Sequence, residues 1–296
     1  MDRALLNKHK LCTLFGKRSF TMSTYINHCW KSLFLLAAVL GASTPAAAEL
    51  VLAAPPRESE AKGVESYDAV ASFLSTVIGE KVTYSNPTNW LTYQSSMRKG
   101  AYDIVFDGPA FVAWRMAKLQ HVPLVKLPGQ LSFVVVVKKD EARVKTLNDL
   151  AGRTVCGLAP PNLATLTLQY EFSNPSRQPL ILEAKSFKDA YEGVVSGKCV
   201  AAVIHAKIYA GLDAQAQAAR VIFASKPVSN QAITVGPKIS PEMRAKITQA
   251  LLSPAGKAAT LSVLERFKAA EWLPAKPEEY QGLQVLLRDV WGFNSE

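Results

Sequence analysis

Residues 79–112 constrain the fold more than any other stretch. Lys81–Tyr84 has the composition of a short strand, and Trp90–Lys99 reads as a helix. Gly100 stops that helix, and the apolar run Asp103–Phe106 ends abruptly at Gly108-Pro109. Strand, helix, glycine stop, buried strand and Gly-Pro, in that order, occur in α/β sheets whose strand ends open on a ligand cleft. The flanking chain continues the alternation. Leu50–Ala54 predicts a strand ended by Pro55-Pro56-Arg57. Tyr67–Ile78 predicts a helix with Val70, Phe73, Leu74, Val77 and Ile78 on one face, and Ala110–Leu119 predicts another. The expected architecture is α/β, with mostly parallel sheets flanked by helices.

Leu131–Val137 is a near-continuous apolar run, the pattern of a strand covered on both faces. A second βαβαβ set follows in residues 140–222. It comprises a strand at Thr154-Val155 feeding Ala159-Pro160-Pro161-Asn162, a helix from Leu163, strand Leu180–Leu182, helix Phe187–Ser196 and strand Val200–Ile204. Ala232–Val235 predicts a strand that returns the chain to the first unit. Helices Glu242–Leu252, Ala255–Phe267 and Glu278–Trp291 are expected to finish it. The two sets repeat one join: a helix ends at Gly100 or Gly197, and an apolar strand starts three residues later. The expected organisation is a discontinuous lobe one of residues 49–138 and 225–296, with lobe two at 139–224.

Residues 1–48 read as a targeting segment. Lys17, Arg18 and Lys31 precede the apolar run Ser32–Leu40, and Ala46-Ala47-Ala48 fits a cleavage site before Glu49. The run is short for a membrane span. Met22 is an alternative start, and the cleavage point has no cysteine for lipid attachment. The segment holds six basic residues (Arg3, Lys8, Lys10, Lys17, Arg18, Lys31) and one acid (Asp2), so half of the formal charge of +10 belongs to it. The remaining mild excess contains no Lys/Arg run, which argues against a nucleic-acid partner.

Beyond residue 48 only Cys156 and Cys199, His121 and His205 remain of the four cysteines and four histidines. No metal-ligand spacing results. In an oxidising compartment the two cysteines either pair or remain buried thiols, and the sequence leaves both open.

Four segments in order resemble the phosphonate/phosphate-type periplasmic substrate-binding proteins of ABC transporters. They are Pro55-Pro56-Arg57-Glu58-Ser59, Met97–Ala110, Leu147–Val155 and Ser196–Val203, and the end, Trp272-Leu273-Pro274 through Tyr280, is also similar. The resemblance implies a two-lobed type 2 periplasmic-binding-protein fold joined by two hinge strands. It implies a monomer without cofactor or catalytic activity that captures a small anionic solute (phosphonate, phosphite or phosphate) and delivers it to an inner-membrane ABC permease. On the same fold, a sensing subunit for a membrane receptor or histidine kinase is the alternative.

In such a fold the ligand sits at strand C-terminal ends and helix N-termini. Asn162, Thr165 and Thr167 stand where similar proteins carry a Ser/Thr-rich turn that wraps phosphonate oxygens, although this turn is poorer in hydroxyls and Asn162 also reads as a plain N-cap. Trp90 stands where the family places a ligand-touching aromatic, with Tyr93 as second choice. His205 stands where an acid contacts the ligand amine. Arg57, at the end of the first strand, reads as an oxyanion clamp. Asp107 would repel a dianion unless Arg57 or another cation pairs with it.

Overall fold

The computed structural model describes residues 49–57, 59–290 and 293. The expected targeting segment and Trp291 lie outside them.

The chain runs β1 (Leu50–Ala53), α1 (Glu60–Ile78), β2 (Val82–Ser85), α2 (Trp90–Arg98), β3 (Ile104–Asp107), α3 (Pro109–Leu119), β4 (Val122–Lys126), β5 (Gln130–Leu131) and β6 (Phe133–Lys138). It continues through β7 (Thr154–Gly157), α4 (Leu163–Tyr170), β8 (Leu180–Glu183), α5 (Phe187–Val195), β9 (Ala201–His205), α6 (Ala206–Asp213), β10 (Ala219–Ala224) and β11 (Val228–Ser229). It closes with β12 (Ala232–Val235), α7 (Pro241–Leu252), α8 (Pro254–Ala259), α9 (Leu261–Arg266) and β13 (Leu273–Pro274).

Two sheets result. The first has the order β13-β4-β12-β3-β1-β2 and the second β10-β6-β9-β7-β8. Each has a parallel centre, β2-β1-β3 in one and β8-β7-β9 in the other, extended by antiparallel strands. Both faces are covered. In β1 and β3, Leu50, Leu52, Ile104 and Phe106 enter one apolar cluster, while Ala53 and Val105 enter another with Tyr93 and Phe111. β6 splits the same way, with Val135 and Val137 on one side and Val134 and Val136 on the other. That alternation is the two-residue period of a pleated strand between two helical layers.

The chain crosses between the sheets twice, at β5 and β11, and these two crossings pair antiparallel, Leu131 opposite Val228 and Gln130 opposite Ser229. This corrects one sequence expectation. Leu131–Val137 is not a single strand of lobe one, because the ladder breaks at Ser132 and β6 pairs with β9 and β10 in the second sheet. Further differences have local causes. The helix expected at Ala255–Phe267 divides at Thr260, whose φ and ψ of −109° and 12° are not helical. The helix expected at Glu278–Trp291 is two 3-10 turns, Pro277–Glu279 and Leu283–Leu287, separated at Gly282, which adopts a left-handed φ of 85°. Helix α1 starts at Glu60, one turn or more before Tyr67.

His121 follows α3 and is buried, its Nδ1 3.1 Å from Thr234 Oγ1 on β12. Burial, with the nearby Arg115 and Arg244 charges, lowers its pKa to about 3. The unfolded chain binds this proton near pH 6.5 and the folded chain does not, so stability is lost as pH falls from 6.5 toward 3. The expected slope is about 1.4 kcal/mol per pH unit. Urea unfolding at pH 7 and pH 5 should show this loss, and His121→Gln should flatten it; an equal slope in both proteins would assign the acid sensitivity elsewhere.

Candidate functional site

The C-terminal ends of β1, β3, β7 and β8 converge on one cleft of about 500 Å³. The first sheet contributes Pro56 and Arg57 after β1, Trp90 at the start of α2, and Gly108 to Phe111 at the start of α3. The second contributes Leu158 to Leu163 around the β7–α4 turn and Glu183 to Lys185 after β8. Leu131 and Gln231, beside the paired crossings, complete the lining. The volume lies within the range of sites that bury a small molecule.

The polar character of the cleft is cationic on one side. Arg57 is half-buried, and its Nη1 is shielded from solvent without a hydrogen-bond partner. Its Nη2 lies 3.5 Å from where a Gly108 Cβ would stand, so the guanidinium covers the N-terminus of α3. That helix begins Gly108-Pro109, and Ala110 and Phe111 bring first-turn amides to the cleft. Free first-turn N–H groups and the positive helix end favour an anion there. Across the cleft Asn162 caps α4 by accepting from Ala164 N at 3.0 Å, and its residue remains half-exposed in the lining.

The other sequence candidates lie elsewhere. Tyr93 and Asp107 are fully buried beneath the cleft floor, where Tyr93 donates to Asp107 and Arg115 Nε donates to Asp107 Oδ2 at 3.1 Å. Arg115 Nη2 also reaches Tyr93 Oη at 3.0 Å. The cation that Asp107 requires is therefore Arg115, with Arg57 acting on it only through its field. Burial pushes the Asp107 carboxyl above its ordinary value, and Arg115, Arg57 and the Tyr93 hydrogen bond pull it back. Burial drives the Tyr93 phenol well above its usual range. Thr165 is buried and its hydroxyl donates to Leu158 O, while Thr167 donates to Leu163 O at 2.7 Å within its own helix. His205 ends β9 and caps α6, its Nδ1 accepting from Lys207 N at 3.2 Å, outside the cleft lining. Burial and Lys207 lower its pKa.

Arg57, Trp90 and Asn162 are thus the sequence candidates that meet in the cleft. The sequence reading missed Phe111, Leu131, Leu158, Lys185 and Gln231 as lining residues.

Cys156 and Cys199 are joined, with S–S 1.98 Å and Cα–Cα 5.7 Å. Among the described residues no group of three or more His, Cys, Asp or Glu is arranged to hold a metal, and no helix is long and apolar enough to cross a membrane.

Two sheets joined by paired crossings around a strand-end cleft define a type 2 periplasmic binding protein. Solved structures agree on the fold. XAC2383 from Xanthomonas citri, solved with ATP, superposes with a TM-score of 0.62 at 13% identity, covering 81% of this chain and 97% of that one. PhnD1 from Prochlorococcus marinus, solved with methylphosphonate, gives 0.58 at 12% identity, with the same coverages of 81% and 97%. A binding-protein component of an ABC phosphonate transporter from Pseudomonas aeruginosa gives 0.55 at 14% identity, covering 80% and 85%. No curated protein sequence matches the chain. The chain belongs to the periplasmic substrate-binding proteins of ABC phosphonate transporters, whose family profile matches residues 52–280. Proteins of this family capture a small solute for an ABC permease.

Proposed function

We propose that this protein binds a phosphorus oxyanion (phosphonate, phosphite or phosphate) between its two lobes and passes it unchanged to an ABC importer as a monomer. The observation that carries the proposal is Arg57. A guanidinium N–H held out of water without a partner is costly unless a ligand completes it, and here it lies over the open N-terminus of α3. Asn162 and the start of α4 face it from the other lobe, and β5 and β11 serve as the hinge on which the lobes close. The side chains in the cleft supply donors, charge and shape rather than a nucleophile with its base. Residues 1–48 act as a cleaved export signal, and the Cys156–Cys199 bond suits the oxidising compartment to which it leads.

Removing a charged hydrogen bond to the ligand costs about 1.5–3 kcal/mol, or roughly 10- to 100-fold in affinity. Calorimetric titration of residues 49–296 with phosphate, phosphite and methylphosphonate tests this. Arg57→Ala should weaken whichever of these binds by that factor, with little change in melting temperature in the absence of ligand. Unchanged affinity in Arg57→Ala, or no binding of any phosphorus oxyanion, would overturn the proposal.

A further inference from the structure

Among the described residues, the lining of the cleft contains no Ser, Thr or Tyr. The hydroxyls of Thr165 and Thr167, behind the β7–α4 turn, are spent on Leu158 O and Leu163 O. A small dianion taken out of water needs a donor for nearly every oxygen lone pair. This cleft offers the half-buried Arg57 guanidinium, two helix starts, the Asn162 and Gln231 amides and the exposed Lys185 ammonium, with the Glu183 carboxylate as a neighbouring negative charge, a supply sized for one oxyanion head. The rest of the volume has another character. Trp90 and Phe111 stack with centroids 6.2 Å apart and planes at 20°, forming an aromatic wall next to Arg57. Leu158, Leu163 and Leu166 stand on the side of the second lobe, with Leu131 beside the crossings. Phe111 and Leu166 are already buried, at 4% and 3% exposure, and back this surface; a ligand as small as methylphosphonate would leave the open faces of Trp90, Leu131, Leu158 and Leu163 toward water, whereas a ring-sized apolar substituent would cover them.

We propose that the physiological ligand is an organic oxyanion with an apolar, ring-sized substituent. Its head binds at Arg57 and the start of α3, and its body lies against Trp90, which Phe111 backs. The proposal rests on the oxyanion reading above and narrows it to substituted phosphonates, with inorganic phosphate and phosphite disfavoured.

The test is a titration series followed by tryptophan emission and calorimetry, with phenylphosphonate, methylphosphonate, phosphate, benzoate and benzenesulfonate as probes. Phenylphosphonate should bind at least tenfold tighter than methylphosphonate. Trp90→Ala should reduce that ratio to below threefold, and Trp90→Phe, which keeps a ring, should preserve most of it. Methylphosphonate or phosphate binding as tightly as phenylphosphonate would overturn the inference while leaving the oxyanion reading intact. Benzoate or benzenesulfonate binding tightest would uphold the apolar body and overturn the phosphorus head. Absence of binding by every probe would overturn both.

Discussion

Asp107→Asn is expected to destabilise the protein by about 3–5 kcal/mol, the cost of removing one partner from a buried ion pair. On a chain of this size that corresponds to a melting point lower by roughly 10 °C. Asp107, Arg115 and Tyr93 are all 0% exposed. Asp107 accepts from Arg115 Nε, from Tyr93 and from the Gly108 amide at 3.1 Å, so one carboxylate serves three donors. Asparagine keeps the shape but turns an oxygen into a donor facing donors, and it leaves the guanidinium charge in a dry site. Arginine has no neutral form to retreat to. The reverse variant, Arg115→Met, should cost less, because the abandoned carboxyl takes up a proton. Its folded pKa, already raised by burial, then rises further with the loss of Arg115. The stability of Arg115→Met should therefore decline as pH rises through that value, so the variant should be more stable at pH 5 than at pH 8 relative to wild type. Urea unfolding of both variants at the two pH values decides the matter. Equal costs without pH dependence would show that the pair is not the buried ionic unit described here.

Arg115 also shows where sequence reading stopped. In Pro109–Leu119 the neighbours Phe111, Val112 and Trp114 read as packed, and Arg115 among them carries no assigned role. Only the fold turns its guanidinium onto Asp107, with both side chains inside the helix–sheet layer. Elements bounded by clear punctuation were legible: β3 and α3 around Gly108-Pro109, α4 after Asn162, and α7 at Ser240-Pro241. Strand β4 was not, because Pro123 sits inside it. The ladder tolerates that proline at the register shift between Ile233 and Thr234. β10 was missed because its residues, Ala219–Ala224, alternate only weakly and it pairs along one edge. The cleft was legible where position alone decides it, as for Arg57 at a strand end and Asn162 at a helix start. It was not legible where a hydroxyl turns inward, as at Thr165, since side-chain direction within a capped turn depends on the backbone carbonyl it finds.

Loss of the Cys156–Cys199 bond is expected to cost about 4 kcal/mol, the chain-entropy figure for a closed loop of this length. The bond spans a sequence separation of 43, enclosing α4, β8 and α5. It ties the interior of β7 to the turn that leads into β9, and both cysteines belong to the buried cluster with Val134, Val136, Tyr191 and Val194. Since β7 carries the Leu158–Asn162 turn of the cleft at its end, the bond also fixes the wall of the second lobe. Gly193 provides an independent check. A Cβ there would stand 2.6 Å from Cys156 Sγ, so the helix can lie against the disulfide only because this residue has no side chain. Gly193→Ala should therefore be strongly destabilising in the oxidised protein. In the Cys156→Ala/Cys199→Ala background, where the sulfur is gone and the next atom, Cys156 Cβ, is 3.6 Å away, most of that cost should disappear. Denaturant midpoints of the four proteins, with and without dithiothreitol, complete the cycle. The oxidised wild type should lose its advantage over the double alanine variant once reduced. A midpoint indifferent to reductant, or a Gly193→Ala cost that persists without the sulfur, would mean that the second lobe does not depend on this bond.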